Sequence, residues 1–279
     1  MEEKSAHKMF GVPVKLGSFE GRVHPDYDTP DFLGAVSDCR ALIFGSAARI
    51  LLERRNRVVA VSIPVSGSSV VDSVVKEFRV SGFRKIKTLV VSGKAEKAWR
   101  GGTACLLRRV PTPLPLAYLE RRERGLVAES YFISARIDDA REIRDLFRTI
   151  PPEDLSRLLR ALARFLVFAH NQGILHRDLS DGNLLVRASR PGAYDLFLID
   201  TNRISVRRKV SLPSRVRNLV RLGVPPSYQD DFLRFYLGDR RCGLAIRLWY
   251  RLNKQWYRGF VAFKRALRLK MLAERLGIQ

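Results

Sequence analysis

Cysteine is scarce. Cys39, Cys105 and Cys242 are the three in 279 residues, odd in number and far apart. That excludes a zinc-binding spacing and a disulfide framework, and points to a reducing compartment. Long apolar runs are missing too; none approaches the roughly 20 residues of a membrane-spanning helix. Met1-Glu2-Glu3-Lys4 has no apolar core behind it, so no signal peptide is expected. The expected location is therefore cytoplasmic. Acidic residues are also short in supply: 28 Asp+Glu stand against 51 Lys+Arg, giving a net charge of +23 and a pI of about 10.7. Folding does not need such an excess, and self-repulsion costs stability. It implies a polyanionic partner: nucleic acid, anionic lipid or a phosphorylated glycolipid. What is present is ample apolar material, 46% of the chain, enough for a sizeable core.

No repeat or low-complexity segment interrupts the chain. The first ~45 residues are mixed and punctuated by Gly and Pro, and predict no clear element. Short apolar runs at Arg49–Leu52 and Val58–Ile63 flank the polar turn Glu53–Arg57, which reads as a hairpin. Val70–Phe78 follows as a third strand, and Ala95–Leu107 as a helix weakened by Gly101-Gly102. Pro111-Thr112-Pro113-Leu114-Pro115 ends that helix, and Ala117–Arg121 with Leu126–Ile133 predicts a second hairpin. From Pro151 the chain turns helical. Leu155, Leu158, Leu159, Leu162, Phe165, Leu166 and Ala169 fall at amphipathic spacing up to the stop at Gly173. A short hairpin, Asn183–Arg187 with Asp195–Ile199, comes next, and the rest is basic and helical. The expectation is an α+β, bilobal fold: an antiparallel sheet with one helix in residues 1–133, and a mainly helical lobe in 134–279.

The chemistry concentrates in His176-Arg177-Asp178-Leu179-Ser180-Asp181-Gly182-Asn183. This run resembles the catalytic loop of protein-kinase-like enzymes at every specified position. An Asp in the place of Asp178 accepts or orients the proton of an attacking hydroxyl. An Asn five residues on, as Asn183 is, holds a metal between nucleotide phosphates. Leu196-Phe197-Leu198-Ile199-Asp200 is an apolar strand ending in an acid 22 residues past Asp178, the place of a second metal-binding Asp. Lys76, in Val74-Val75-Lys76, matches a phosphate-pairing Lys, and Glu96 is the acid on the following helix that could partner it. No Gly-x-Gly-x-x-Gly precedes Lys76; the turn Glu53–Arg57 stands in its place, an ordinary charged turn or an Arg cover for phosphates. Ser130–Ser134 reads as the last strand and hinge, and His170 and His176 as structural.

Lys76, Pro111–Pro115, the His176–Asn183 loop and Ile199-Asp200-Thr201-Asn202-Arg203 together resemble the lipopolysaccharide core kinases, the heptose and Kdo kinases. The resemblance spans roughly residues 48–240. It implies a protein-kinase-like fold with Asp-x-x-Arg in place of Asp-Phe-Gly. It also implies ATP and Mg²⁺ as cofactors, and a sugar hydroxyl of the lipid-anchored inner core as acceptor, at the cytoplasmic face of the inner membrane. Carried over, Asp178 is the catalytic base, Lys76 and Glu96 serve the nucleotide, Asn183 and Asp200 hold the metal, and Arg203 meets substrate phosphate or anchors the loop. One departure is Ala98 before Trp99, where the family often has Glu.

The tail fits a lipid-borne acceptor. Leu244–Gln279 carries nine Lys/Arg and one Glu. Trp249, Leu252, Trp256, Phe260, Phe263, Leu267 and Met271 share one helical face, with Arg247, Arg251, Lys254 and Arg258 largely opposite. That is the pattern of a helix on an anionic membrane surface, or of one packing its aromatic face on the second lobe. Rival readings are a kinase of the same fold acting on protein or a small molecule, and a basic pseudokinase or nucleic-acid binder. Arg177, the missing Asp-Phe-Gly and Ala-Pro-Glu, and the intact Lys76, Asp178, Asn183 and Asp200 speak against them.

Overall fold

The computed structural model describes residues 11–79, 92–190, 192–238 and 242–276, with side chains to Leu267 apart from 264 and 265. Met1–Lys4 and the Met271 side chain lie outside it. The chain divides into two compact units, Met1–Ala140 with Phe197–Val206, and Arg141–Leu196 with Arg207–Gln279.

The first unit is built on strands β1 (Val12–Leu16), β2 (Phe19–Val23), β3 (Arg49–Glu53), β4 (Arg57–Ser66), β5 (Ser69–Glu77), β6 (Pro115–Glu123) and β7 (Leu126–Ala135). They form one seven-stranded antiparallel sheet in the order β1-β2-β6-β7-β5-β4-β3. The expected hairpins are there. The unread first 45 residues supply β1 and β2, which extend the sheet beside β6, and two short helices, α1 (Pro30–Ser37) and α2 (Cys39–Phe44). Phe32, Val36, Cys39 and Ile43 of these helices are buried with Val59, Val61, Ile63, Val75 and Ile133 of the sheet, forming the core of one face.

Helix α3 (Lys94–Leu107) covers the other face, where Ala95 and Ala98 pack with Phe78, Tyr118 and Phe132. Side chains alternate along a strand. With Val75 in the α1–α2 core, Lys76 points to the α3 face beside Phe78, its ammonium 5.0 Å from that ring centre.

In the second unit, β8 (Ala140–Glu142) and α4 (Ile143–Thr149) lead into α5 (Pro152–Asn171). Leu155, Leu158, Leu159, Leu162, Ala163, Leu166 and Ala169 are buried on α5, the face the periodicity predicts; Phe165 is only half-buried. Burying each leucine is worth about 1.5–3 kcal/mol, which is ample to fix the helix. Then come β9 (Ile174–His176), the catalytic-loop stretch, β10 (Leu184–Arg190) and β11 (Ala193–Leu198). The short strand β12 (Ile204–Val206) belongs to the first unit, and α6 (Leu212–Leu219), α7 (Gln229–Leu237) and α8 (Leu244–Leu276) complete the second.

The boundary differs from the expected one. The division falls after Ala140, and Phe197–Val206, with Asp200, returns to the first unit. Hydrogen bonds explain it: Leu198 N–H donates to Pro111 O (3.0 Å) and Thr112 Oγ1 donates to Leu198 O (2.6 Å).

Candidate active site

In the first unit Lys76 and Asp200 are brought together. The Lys76 ammonium ion-pairs with Asp200 Oδ1, both side chains about four-fifths shielded from solvent. Asp200 adopts a left-handed backbone (φ 57°, ψ 45°). Such a conformation is unfavourable for a non-glycine residue and persists only where neighbours hold it. Here they do: Arg203 N–H donates to Asp200 O (3.1 Å), and the Asn202 amide nitrogen, turned toward Asp200, donates to its Oδ1 (2.7 Å).

The next residue ties this turn to α3. The Thr201 hydroxyl donates to Ala98 O (2.7 Å). A Cβ on Gly101 would overlap the Thr201 carbonyl oxygen, and one on Gly102 would press on the Pro115 ring. The Gly-Gly pair that weakens α3 as a helix is thus the notch that lets backbone meet backbone. In the sequence the pair is visible only as a weak point in the helix.

Glu96 is placed otherwise than expected. Lys76 is engaged by Asp200, while Glu96 lies 3.8 Å from Arg100, one turn along α3. The carboxylate at the start of α3 is that of Glu120, from β6. It accepts from Ser130 Oγ (3.0 Å) and from Glu96 N–H (3.4 Å), and Ser130 Oγ accepts from Ala95 N–H (3.2 Å). Burial pushes the Glu120 carboxyl above the usual carboxylate range. The two residues cap a helix whose own N-cap, Gly93, has no side chain to do so. Glu120 also lines, with Glu96, Arg22 and Tyr118, a cleft of about 570 Å³ beside β1 and β2.

The Glu53–Arg57 turn is an ordinary hairpin turn. Arg57 pairs with Glu53 (3.4 Å) and lies 4.2 Å from the Phe44 ring centre. The Ser130–Ser134 stretch is interior strand, paired to β5 and β6, and the chain stays in the sheet through Ala135. Arg203 is exposed.

In the second unit Asp178 and Asn183 are brought together: Asn183 Nδ2 donates to Asp178 O (2.7 Å), folding the loop back on itself. Beneath it runs a buried polar chain. Tyr236 OH meets His170 Nδ1 (2.5 Å), and His170 Nε2 meets Asn218 Oδ1 (3.0 Å). Asn218 Nδ2 donates to His176 O (2.8 Å), and Asp178 N–H donates to His176 Nδ1 (3.2 Å). Burial lowers the His170 pKa to about 4, so it is neutral at physiological pH. Both histidines are structural, and each fixes the loop rather than facing solvent. The Asp178 carboxylate itself pairs with Arg221, each side chain about two-fifths exposed. Arg221 and Asn218 carried no motif that the sequence alone could flag.

The sheet with its covering helix, the helical unit and the loop define a protein-kinase-like fold. A solved structure described as "WaaP in complex with acyl carrier protein" matches it with a TM-score of 0.52 at 20% identity, over 74% of this chain and 87% of that one. Residues 103–229 match the family model "Lipopolysaccharide kinase (Kdo/WaaP) family", in line with the resemblance to the lipopolysaccharide core kinases. The matched stretch includes the catalytic loop, Asp200 and Arg221; Lys76, Glu96 and α8 lie outside it. No curated protein matches the sequence.

Proposed function

We propose that this protein is an ATP-dependent kinase that transfers phosphate to a heptose or Kdo hydroxyl of the lipopolysaccharide inner core, working on the cytoplasmic side against an anionic membrane surface. The observation that carries the reading is the Asp178 loop. A carboxylate is held at the surface of its unit on a folded-back loop, with Asn183 pinned to its backbone and two buried histidines beneath.

Asp178 takes or orients the proton of the acceptor hydroxyl. Lys76 serves the nucleotide phosphates. Asp200 and Asn183 are the residues that the resemblance assigns to Mg²⁺, and each has fitting donor chemistry: a carboxylate and an amide oxygen are hard ligands. Asp200 already faces a cation, the Lys76 ammonium, and its strained turn is held by Asn202. Among the described residues no group of three or more His, Cys, Asp or Glu could hold a metal. When bound, Mg²⁺ supplies charge neutralisation of the transferring phosphoryl group. Arg203, exposed one turn beyond Asp200, is assigned to the anionic acceptor.

The membrane reading draws on α8. Trp256 and Phe263 are 68% and 64% exposed, and Trp249 and Leu252 are exposed as well, so this face is open among the described residues. Among the described residues no helix is long and apolar enough to cross a membrane. An amphipathic, basic helix is suited to lie in the interface instead.

The test is phosphate transfer from ATP to isolated inner-core saccharide by the wild type and Asp178→Asn. Transfer should depend on the saccharide and fall by about 10²–10⁴-fold in the variant, with its melting temperature unchanged. ATP turnover indifferent to the saccharide, or transfer that survives Asp178→Asn, would overturn the reading.

A further inference from the structure

Three consecutive residues after α6, Arg221-Leu222-Gly223, grip the catalytic loop. Arg221 ion-pairs with the Asp178 carboxylate, and Gly223 N–H donates to Asp181 Oδ1. The approach is so close that a Cβ on Gly223 would overlap the Asp181 carboxylate. Both acids of the loop are therefore held by one short segment.

That segment is itself held from α8. The Lys254 ammonium, 6% exposed, donates to Leu222 O (2.7 Å) and to Tyr250 OH (3.0 Å). The Arg221 guanidinium lies 5.3 Å from the Tyr257 ring centre, within cation–π reach. Tyr250, Lys254 and Tyr257 follow i, i+4, i+7 spacing, so one face of α8 makes all of these contacts. Lys254 was expected on the solvated basic face; the structure buries it instead.

A buried ammonium is costly unless compensated, and an apolar side chain of similar size would attach a helix at least as well. What the lysine adds is a directional hold on one backbone carbonyl. The Arg221–Asp178 pair is likewise too exposed to contribute much stability. What it adds is a fixed orientation for a carboxylate that would otherwise rotate.

We infer that α8 is a positioning element for the catalytic loop: Lys254 fixes the Arg221–Gly223 segment, and Arg221 fixes the Asp178 carboxylate. This rests on the reading of Asp178 as the base. It also means that the helix offered to the lipid surface is the one that sets the base, so engagement of the surface and orientation of the carboxylate share one helix.

The experiment uses the full chain with Arg221→Gln, Arg221→Lys, Lys254→Met, the Arg221→Gln/Lys254→Met double variant and Asp178→Asn. kcat, the KM for ATP and the melting temperature are read for each on inner-core saccharide. Arg221→Gln should lower kcat by about 10–100-fold, the scale of a misplaced catalytic group, with the KM for ATP little changed. Arg221→Lys should recover part of the loss. Lys254→Met should lower kcat in the same way without lowering the melting temperature, and the double variant should be no worse than Arg221→Gln alone, since both act through one contact. If Asp178→Asn is inactive while Arg221→Gln turns over normally, the base stands and the positioning inference falls. Multiplying losses in the double variant would also overturn it, leaving Lys254 a structural role only. Should Lys254→Met fail to fold, Arg221→Gln, at a partly exposed site, decides alone. Activity in Asp178→Asn would remove the base itself.

Discussion

Two helices stand behind the two groups of candidate site residues, and they hold them by opposite means. Helix α3 is buried against the sheet and meets the Asp200 turn backbone to backbone, through a notch of two glycines and the Thr201 hydroxyl. Helix α8 docks through Tyr250, Lys254 and Tyr257, reaches the Asp178 loop through long charged side chains, and leaves an aromatic face in solvent. Close backbone packing fixes position and tolerates little. Long side chains fix position only while their partners and their surroundings stay as they are. The first arrangement leaves the Asp200 turn less room to shift than the second leaves the Asp178 loop.

The largest effect should come from the exposed face of α8. Changing Trp249, Trp256 and Phe263 to Ser removes three exposed side chains whose burial in an interface is worth about 1.5–3 kcal/mol each at most. Affinity for anionic vesicles should drop by about tenfold or more per residue, with the melting temperature unchanged. Binding by the wild type should also weaken with salt, since the Lys and Arg term is screened over roughly 8 Å at physiological ionic strength. A fall in melting temperature without loss of vesicle binding would mean that the face packs on protein, and the contrast with α3 would collapse.

Lys254 gives the next. Burial, reinforced by Arg258, lowers its pKa from 10.5 to about 8. Between those values the unfolded chain keeps a proton that the folded Lys254 has shed, so stability is lost as pH falls through the window and is level below it. At 1.36 kcal/mol per pH unit the swing is on the order of 3 kcal/mol. Relative to Lys254→Met, the wild type should therefore become more stable as pH rises from about 8 to about 10.5. Urea midpoints of the two proteins across that range check it, and a constant difference would put Lys254 in water.

Gly101→Ala probes the notch on α3. The added methyl meets the Thr201 carbonyl, and overpacking of this kind costs about 1–3 kcal/mol. Because Thr201 adjoins Asp200, the Mg²⁺ needed for half activity should rise together with the loss of stability. Gly102→Ala presses on the Pro115 ring, away from Asp200, and should cost stability without moving the metal titration. Equal metal responses in the two would mean that the notch does not set Asp200.

What could be read in advance followed from how local each signal is. The His176–Asn183 loop, the strand ending at Asp200 and the α5 stripe are contiguous runs or short periods, and the structure has them where the sequence puts them. Helices α1 and α2 have eight and six residues, too short to show a period. Phe32, Val36, Cys39 and Ile43 make one buried face only because the chain restarts at Asp38, which caps α2. Lys254 is spelled like any surface lysine, and its partner is a backbone carbonyl, which has no letter. Gly101-Gly102 was visible, but only the position of Thr201, a hundred residues on, turns a weak point in a helix into a contact.

Glu96 yields the smallest effect and the finest test of the comparison. In a kinase-like fold the acid on this helix is expected to hold the phosphate-pairing lysine. Here the half-buried Glu96 pairs with the exposed Arg100 at i+4, and such pairs are worth about 0.3–0.5 kcal/mol. Its backbone N–H, not its carboxylate, joins the Glu120 cap, and a substitution at Glu96 leaves that bond in place. Glu96→Gln should therefore change the melting temperature by a degree or so at most, and leave kcat and the KM for ATP within about twofold. Glu120→Gln is the contrast, since it disturbs a buried carboxylate that caps α3 and should cost more stability. A large rise in the KM for ATP in Glu96→Gln would show that Lys76 leaves Asp200 for Glu96 once nucleotide binds. Then α3 would be a moving part, and its contrast with α8 would be reversed.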